Sequence, residues 1–95
     1  MIEQKVTNSD NTTFIVYDDP VIQTAMEVLE LLRESNMVVL KGKGRTIPNT
    51  VAVANIIIDN FLKDKCSIKK ISVDSEIPDG GRMVSNIVII LEKNN

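Results

Sequence analysis

The sequence predicts a two-layer α/β domain with the element order β-α-β-α-β-β. Three observations carry that prediction. Runs rich in β-branched and apolar residues stand at 12–17, 37–40 and 66–93. Between them lie two stretches in which apolar residues recur at helical spacing. A proline, Pro20 or Pro48, falls in the first turn of each expected helix, where its missing N–H is no loss.

The elements follow in order. The opening "MIEQKVTNSDN" is polar and loses periodicity after Val6, so residues 1–11 are expected to form a flexible tail and residues 12–95 a single domain. "TTFIVY" at 12–17 is β-branched and aromatic, a strand signal. Asp19 then precedes Pro20, the arrangement of an N-cap followed by a first-turn proline. Ile22, Ala25, Met26, Leu29 and Leu32 recur at helical spacing as far as Ser35, with Glu27, Glu30 and Glu34 on the other side. "MVVL" at 37–40 is wholly apolar, as in a strand central to its sheet. Gly42 and Gly44 then break the regular pattern. A second helix starts at Thr46 or a neighbour and runs to about Lys63.

That second helix carries two apolar stripes. Ile47, Val51, Ala54, Ile58 and Phe61 or Leu62 form one, and Val53, Ile56 and Ile57 the other. A helix apolar nearly all round must be buried on more than one side. One side can pack on its own sheet. In so short a chain a second copy is what remains to cover the other, which predicts a dimer. In the closing segment, Ile68 is out of alternation with Ile71 and Val73, which predicts a bulge or register change. "PDGG" marks a turn. Ile87, Ile89 and Leu91 on one face, with Val88 and Ile90 on the other, predict a final strand buried on both sides.

Composition sets limits on function. Ninety-five residues make one domain, small enough to gain from oligomerisation. Aromatic residues are 3% of the chain, too few for a base-stacking platform. A net charge of −2 argues against a strongly electropositive body and leaves room only for a local basic patch. A single cysteine, Cys66, and no histidine exclude an intrachain disulfide, a histidine-ligated metal and any histidine triad. No cofactor or metal is expected. With no signal-peptide pattern and no apolar run of membrane-spanning length, the expected setting is cytoplasmic, with no membrane partner.

The densest constellation is "LKGKGRTIP". In an extended chain Lys41, Lys43 and Arg45 point one way, and Gly42 and Gly44 allow close backbone approach. A helix start with free N–H groups follows, so the segment is either a phosphate site or a basic surface loop with turn glycines. The dinucleotide motif G-x-G-x-x-G fails at Ile47, and the P-loop motif G-x-x-x-x-G-K-[ST] is absent. Arg82 in "PDGGRMV" is a solvated turn arginine or the tip of a hairpin arm able to reach a minor groove. Phe61 is core, or an exposed anchor for higher assembly. Lys63, Lys65, Lys69 and Lys70 form a solvated basic face, and Cys66 is a small buried hydrophobe. Carboxylates at Asp18, Asp19, Asp59, Asp74 and Glu76 have no defined pairing, so no catalytic residue and no enzyme are expected.

The segment "VVLKGKGRTIPNTVAVANIIIDNFLKDKCSIKKISVDSE" resembles the central part of Alba proteins, the small dimeric chromatin and RNA-binding proteins of archaea. The strand with K-x-[RK]-G-R, the apolar helix ending in N-x-F, and K-I-x-x-I-x-V-x-S all match in order. "VYDDPVIQTAMEVLELL" is similar to the family's first strand and helix. The resemblance implies the fold shared with the C-terminal domain of translation initiation factor three. It also implies a homodimer built through the second helix and last strands, and a nucleoid-associated protein that binds DNA or RNA. By match, Lys41, Lys43 and Arg45 would contact phosphate, Arg82 would lie on a hairpin arm, and Phe61 would join dimer to dimer. The family usually carries two lysines before the helix-start proline. This chain has Asp18 and Asp19 there, and Asn49 where the family often has another lysine. The implied function is a sequence-independent nucleic-acid binder with weakened duplex affinity. The alternative is an acidic paralogue that forms heterodimers with a basic Alba protein and modulates it.

Overall fold

The computed structural model describes residues 6–7 and 11–94. Its elements are β1 (Val6–Thr7), β2 (Asn11–Ile15), α1 (Val21–Glu34), β3 (Met37–Lys43), a 3-10 turn (Gly44–Thr46), α2 (Ile47–Ile56), a π-helical turn (Ile57–Phe61), β4 (Cys66–Glu76) and β5 (Val84–Lys93). From β2 onward this is the expected β-α-β-α-β-β order. Most of the expected tail, residues 1–5 and 8–10, lies outside the described residues. Val6–Thr7 pairs antiparallel with Thr12 and Thr13.

The sheet order is β1-β2-β3-β5-β4. β2 and β3 run parallel, with α1 as the crossover that a parallel pair requires. β5 runs antiparallel to both β3 and β4. Register decides which face is buried. Thr12, Val38 and Leu91 stand opposite one another, as do Phe14, Leu40 and Ile89. All six are buried, and they share one core with Ala25, Val28 and Leu32 of α1 and Val53, Ala54 and Ile57 of the second helical segment. Both helices therefore cover the same sheet face. Val88 and Ile90, on the other face of β5, are half-buried. The register shift expected near Ile68 falls between Ile68 and Lys70.

Four local expectations are corrected. Asp19 is not the N-cap. Pro20 takes that position with ψ 133°, its carbonyl accepts the Thr24 N–H at 3.1 Å, and no side chain caps the helix. On α1, Ile22 and Met26 are exposed, because the stripe Val21, Ala25, Val28 and Leu32 faces the sheet instead. On the second helix the buried set is Thr50, Val53, Ala54 and Ile57, drawn from both expected stripes. Gly42 does not break the strand. β3 runs through it to Lys43, and Gly44, with φ +58°, ends the strand.

Candidate nucleic-acid interface

Gly42 positions the basic segment. A Cβ on it would collide with Thr50 Oγ1, so only glycine lets α2 lie this close to β3. Thr50 is fully buried, and its hydroxyl donates to the Thr46 carbonyl at 2.8 Å. The turn between strand and helix is tied by Thr46, whose Oγ1 accepts the Lys43 N–H at 2.9 Å and donates back to the Lys43 carbonyl at 3.0 Å. Strand alternation then sends Lys41 and Lys43 to the sheet face opposite the helices, both exposed.

That face holds more than cations. A shallow groove there is lined by Lys41, Lys43, Asp74, Glu76, Asn86 and Val88 among others. Lys43 Nζ lies 3.0 Å from Glu76 Oε2, across the strand that separates them. Arg45, on the 3-10 turn, places Nη2 3.2 Å from Asp18 Oδ2. The loop before α1 thus approaches the basic segment, and the carboxylate in it answers the arginine. Lys41 and Arg82 have no ion pair among the described residues. Three cations, Lys41, Lys43 and Arg45, stand with Asp18, Asp74 and Glu76, and Asp19 follows Asp18 in the loop before α1. Both ion pairs are well exposed, where such pairs contribute about 0–1 kcal/mol to stability. A phosphate can compete for either cation, at the cost of leaving a carboxylate beside it. The approach of Asp74 and Glu76 to the segment was not foreseen. Glu76 and Asp74 reach it only through the β4–β5 register, which the sequence does not state.

Arg82 lies apart, in the exposed loop joining β4 to β5. Phe61 is 38% exposed at the end of the π-helical turn. It lines a shallow recess with Leu29, Leu32, Arg33, Leu62 and Lys93. Cys66 is buried, and burial pushes its thiol above the ordinary value of 9.0. Among the described residues no group of three His, Cys, Asp or Glu could hold a metal ion, and no helix is long and apolar enough to cross a membrane.

A parallel βαβ unit, a basic strand-to-helix turn and a long closing hairpin define a class of small two-layer α/β domains. Residues 11–75 match the Alba family model, and the chain belongs to the Alba family, whose members are not enzymes. It is similar in structure to Alba from Thermoplasma volcanium, with TM-score 0.73 and 27% identity over 84% of this chain and 98% of that one. It also shares its fold with ALBA1 from Trypanosoma brucei, with TM-score 0.70 and 18% identity over 95% of this chain and 74% of that one.

Proposed function

We propose that the chain works as a dimer that binds DNA or RNA without sequence preference, and that its grip on duplex DNA is weak for its family. The observation that carries this is the pairing of Arg45 with Asp18 and of Lys43 with Glu76. A phosphate contact contributes a slope of about 0.9 in log K against log salt, on the order of 1 kcal/mol near physiological salt. Two missing lysines per subunit, with aspartates in their place, remove several kcal/mol from an ordinary non-specific affinity of roughly 5.5–8 kcal/mol.

The dimer is supported by β4. Ile68, Ile71 and Val73 stand opposite Leu91, Ile89 and Ile87, on the helix side of the sheet, yet all three are exposed in the single chain. Ile71 is 52% exposed and Val73 68%, beside an α2 whose Val51 is also exposed. A second copy laid against this edge buries them. Phe61 and its recess suit a contact between one dimer and the next along the nucleic acid.

Anisotropy titrations at low salt test the binding. Sequence-independent binding that weakens with salt is expected, and Lys43→Glu with Arg45→Glu should reduce it further. No binding at low salt, with no effect of the two reversals, would refute the proposal. The excess of carboxylates over cations on the basic segment also favours a second reading, an acidic subunit that pairs with a basic Alba paralogue. Native mass spectrometry of the two mixed chains should then show mainly heterodimers, and homodimers alone would count against it.

A further inference from the structure

Tyr17 is 48% exposed and adds little to the core, although it continues a strand. Register fixes its place. Ile15 stands level with Lys41, and the Val16 N–H donates to the Lys41 carbonyl at 2.8 Å. The parallel pairing thus runs on past the end of β2 and brings Tyr17 level with Lys43, on strands about 4.8 Å apart. Val16 is buried in the core under the helices, so alternation sends Ile15 and Tyr17 to the opposite face, the one that carries Lys41 and Lys43. From α2, the Asn49 side-chain amide reaches the Tyr17 carbonyl at 3.5 Å. The other two aromatic residues are elsewhere: Phe14 is buried, and Phe61 lines the recess beside α1. One ring is no platform for a run of bases, but it can stack one.

We infer that Tyr17 stacks on an unpaired base, with Lys41 and Lys43 on the flanking phosphates, so that the chain takes single-stranded RNA or DNA in preference to duplex. The inference rests on the nucleic-acid reading above and names the strand form that reading leaves open. Every base has a π-face, so stacking on a tyrosine tolerates any sequence. In a duplex those faces are already stacked on one another, and drawing a base out costs unpairing and unstacking. Charge points the same way. A single strand gains less from counterion release, with a salt slope of about 0.7 per phosphate contact against about 0.9 for duplex DNA. Asp18, Asp74 and Glu76 beside the cations therefore handicap duplex binding more than single-strand binding. Stacking does not depend on counterion release, and it supplies affinity that the paired cations Lys43 and Arg45 cannot.

The test exploits composition. Tyr17 is the single tyrosine and the chain has no tryptophan, so the protein's own fluorescence reports this ring. The full chain is titrated with an oligo-dT strand, an oligo-U strand and a non-specific duplex of the same length, with anisotropy of the labelled nucleic acid read in parallel. At least one single strand should quench Tyr17 and bind more tightly than the duplex at the same salt, and the tighter of the two identifies the sugar preferred. The duplex should leave the tyrosine signal nearly unchanged. Tyr17→Ala changes an exposed side chain, so circular dichroism should show the fold kept. It should weaken single-strand binding about tenfold and leave duplex binding unchanged, while Tyr17→Phe should restore the single-strand affinity. Single strands bound without quenching, or an equal loss on both strand forms in Tyr17→Ala, would overturn the stacking while leaving nucleic-acid binding intact. Duplex bound as tightly as either single strand would overturn the preference. Absence of any binding at low salt would overturn the functional reading itself, and the stacking with it. If Tyr17→Ala instead changes the assembly mass by sedimentation and leaves single-strand affinity unaltered, the ring packs on a second copy of the chain and the inference is wrong.

Discussion

Replacing Gly42 by alanine puts a methyl group where α2 lies against β3. The new Cβ would overlap Thr50 Oγ1, and would stand 3.0 Å from Thr50 Cβ and 3.2 Å from the Thr46 carbonyl oxygen. Thr50 cannot swing aside freely, because it is fully buried and its hydroxyl is held by Thr46 at 2.8 Å. Overpacking of this kind costs about 1–3 kcal/mol, and displacing the buried hydrogen bond adds about 1 kcal/mol. The expected loss is about 2–4 kcal/mol. For a chain of this size each kcal/mol lowers Tm by roughly 4–8 °C, so a thermal melt followed by circular dichroism should fall by roughly 10–30 °C. Thr50→Ala in the same chain removes the overlapping oxygen but leaves the tight Cβ contact. The double variant should therefore recover part of the loss, and the two effects should not add. A Gly42→Ala protein that melts within about 3 °C of wild type, or strict additivity with Thr50→Ala, would refute the claim that close helix approach fixes glycine here.

Ile71→Asp with Val73→Asp places charge on the exposed apolar edge of β4, so sedimentation should show monomers that keep the native circular dichroism spectrum; an unchanged assembly mass would refute the dimer surface. Burial raises the Cys66 thiol above 9.0, so its contribution to stability is complete below that pH and is lost as pH rises through the folded value. Urea unfolding of Cys66→Ala between pH 8 and pH 10.5 should therefore show a shallower fall than wild type, and parallel curves would contradict this.

The order of elements was legible because periodicity changes sharply along the chain. The β-branched run at 12–17, the apolar 37–40 and the turn signal "PDGG" each correspond to a feature of the structure. The phase slip at Ile68 marked the β4 irregularity. Helix faces were less legible. Ile22 and Met26 are as apolar as Val28, and only the angle at which α1 meets the sheet selects Val28 for the core. Gly42 looked like a strand breaker, since a glycine required by a neighbouring helix cannot be told from one required by a turn without the packing partner, Thr50. The basic segment was visible as a string of cations, but its counter-ions were not. Asp18 reaches Arg45 across 27 positions of sequence and Glu76 reaches Lys43 across 33, contacts that exist only once the sheet is assembled.

Carboxylates beside the basic segment, Asp18 and Asp19 above all, are proposed to limit how tightly the chain holds duplex DNA. Asp18→Lys with Asp19→Lys tests it most directly, through anisotropy titration of a non-specific duplex over a series of salt concentrations. With circular dichroism unchanged, four added phosphate contacts per dimer should tighten binding by about 4 kcal/mol, roughly a thousandfold, and steepen the salt slope by about 3–4. Unchanged affinity and slope in a folded variant would contradict it.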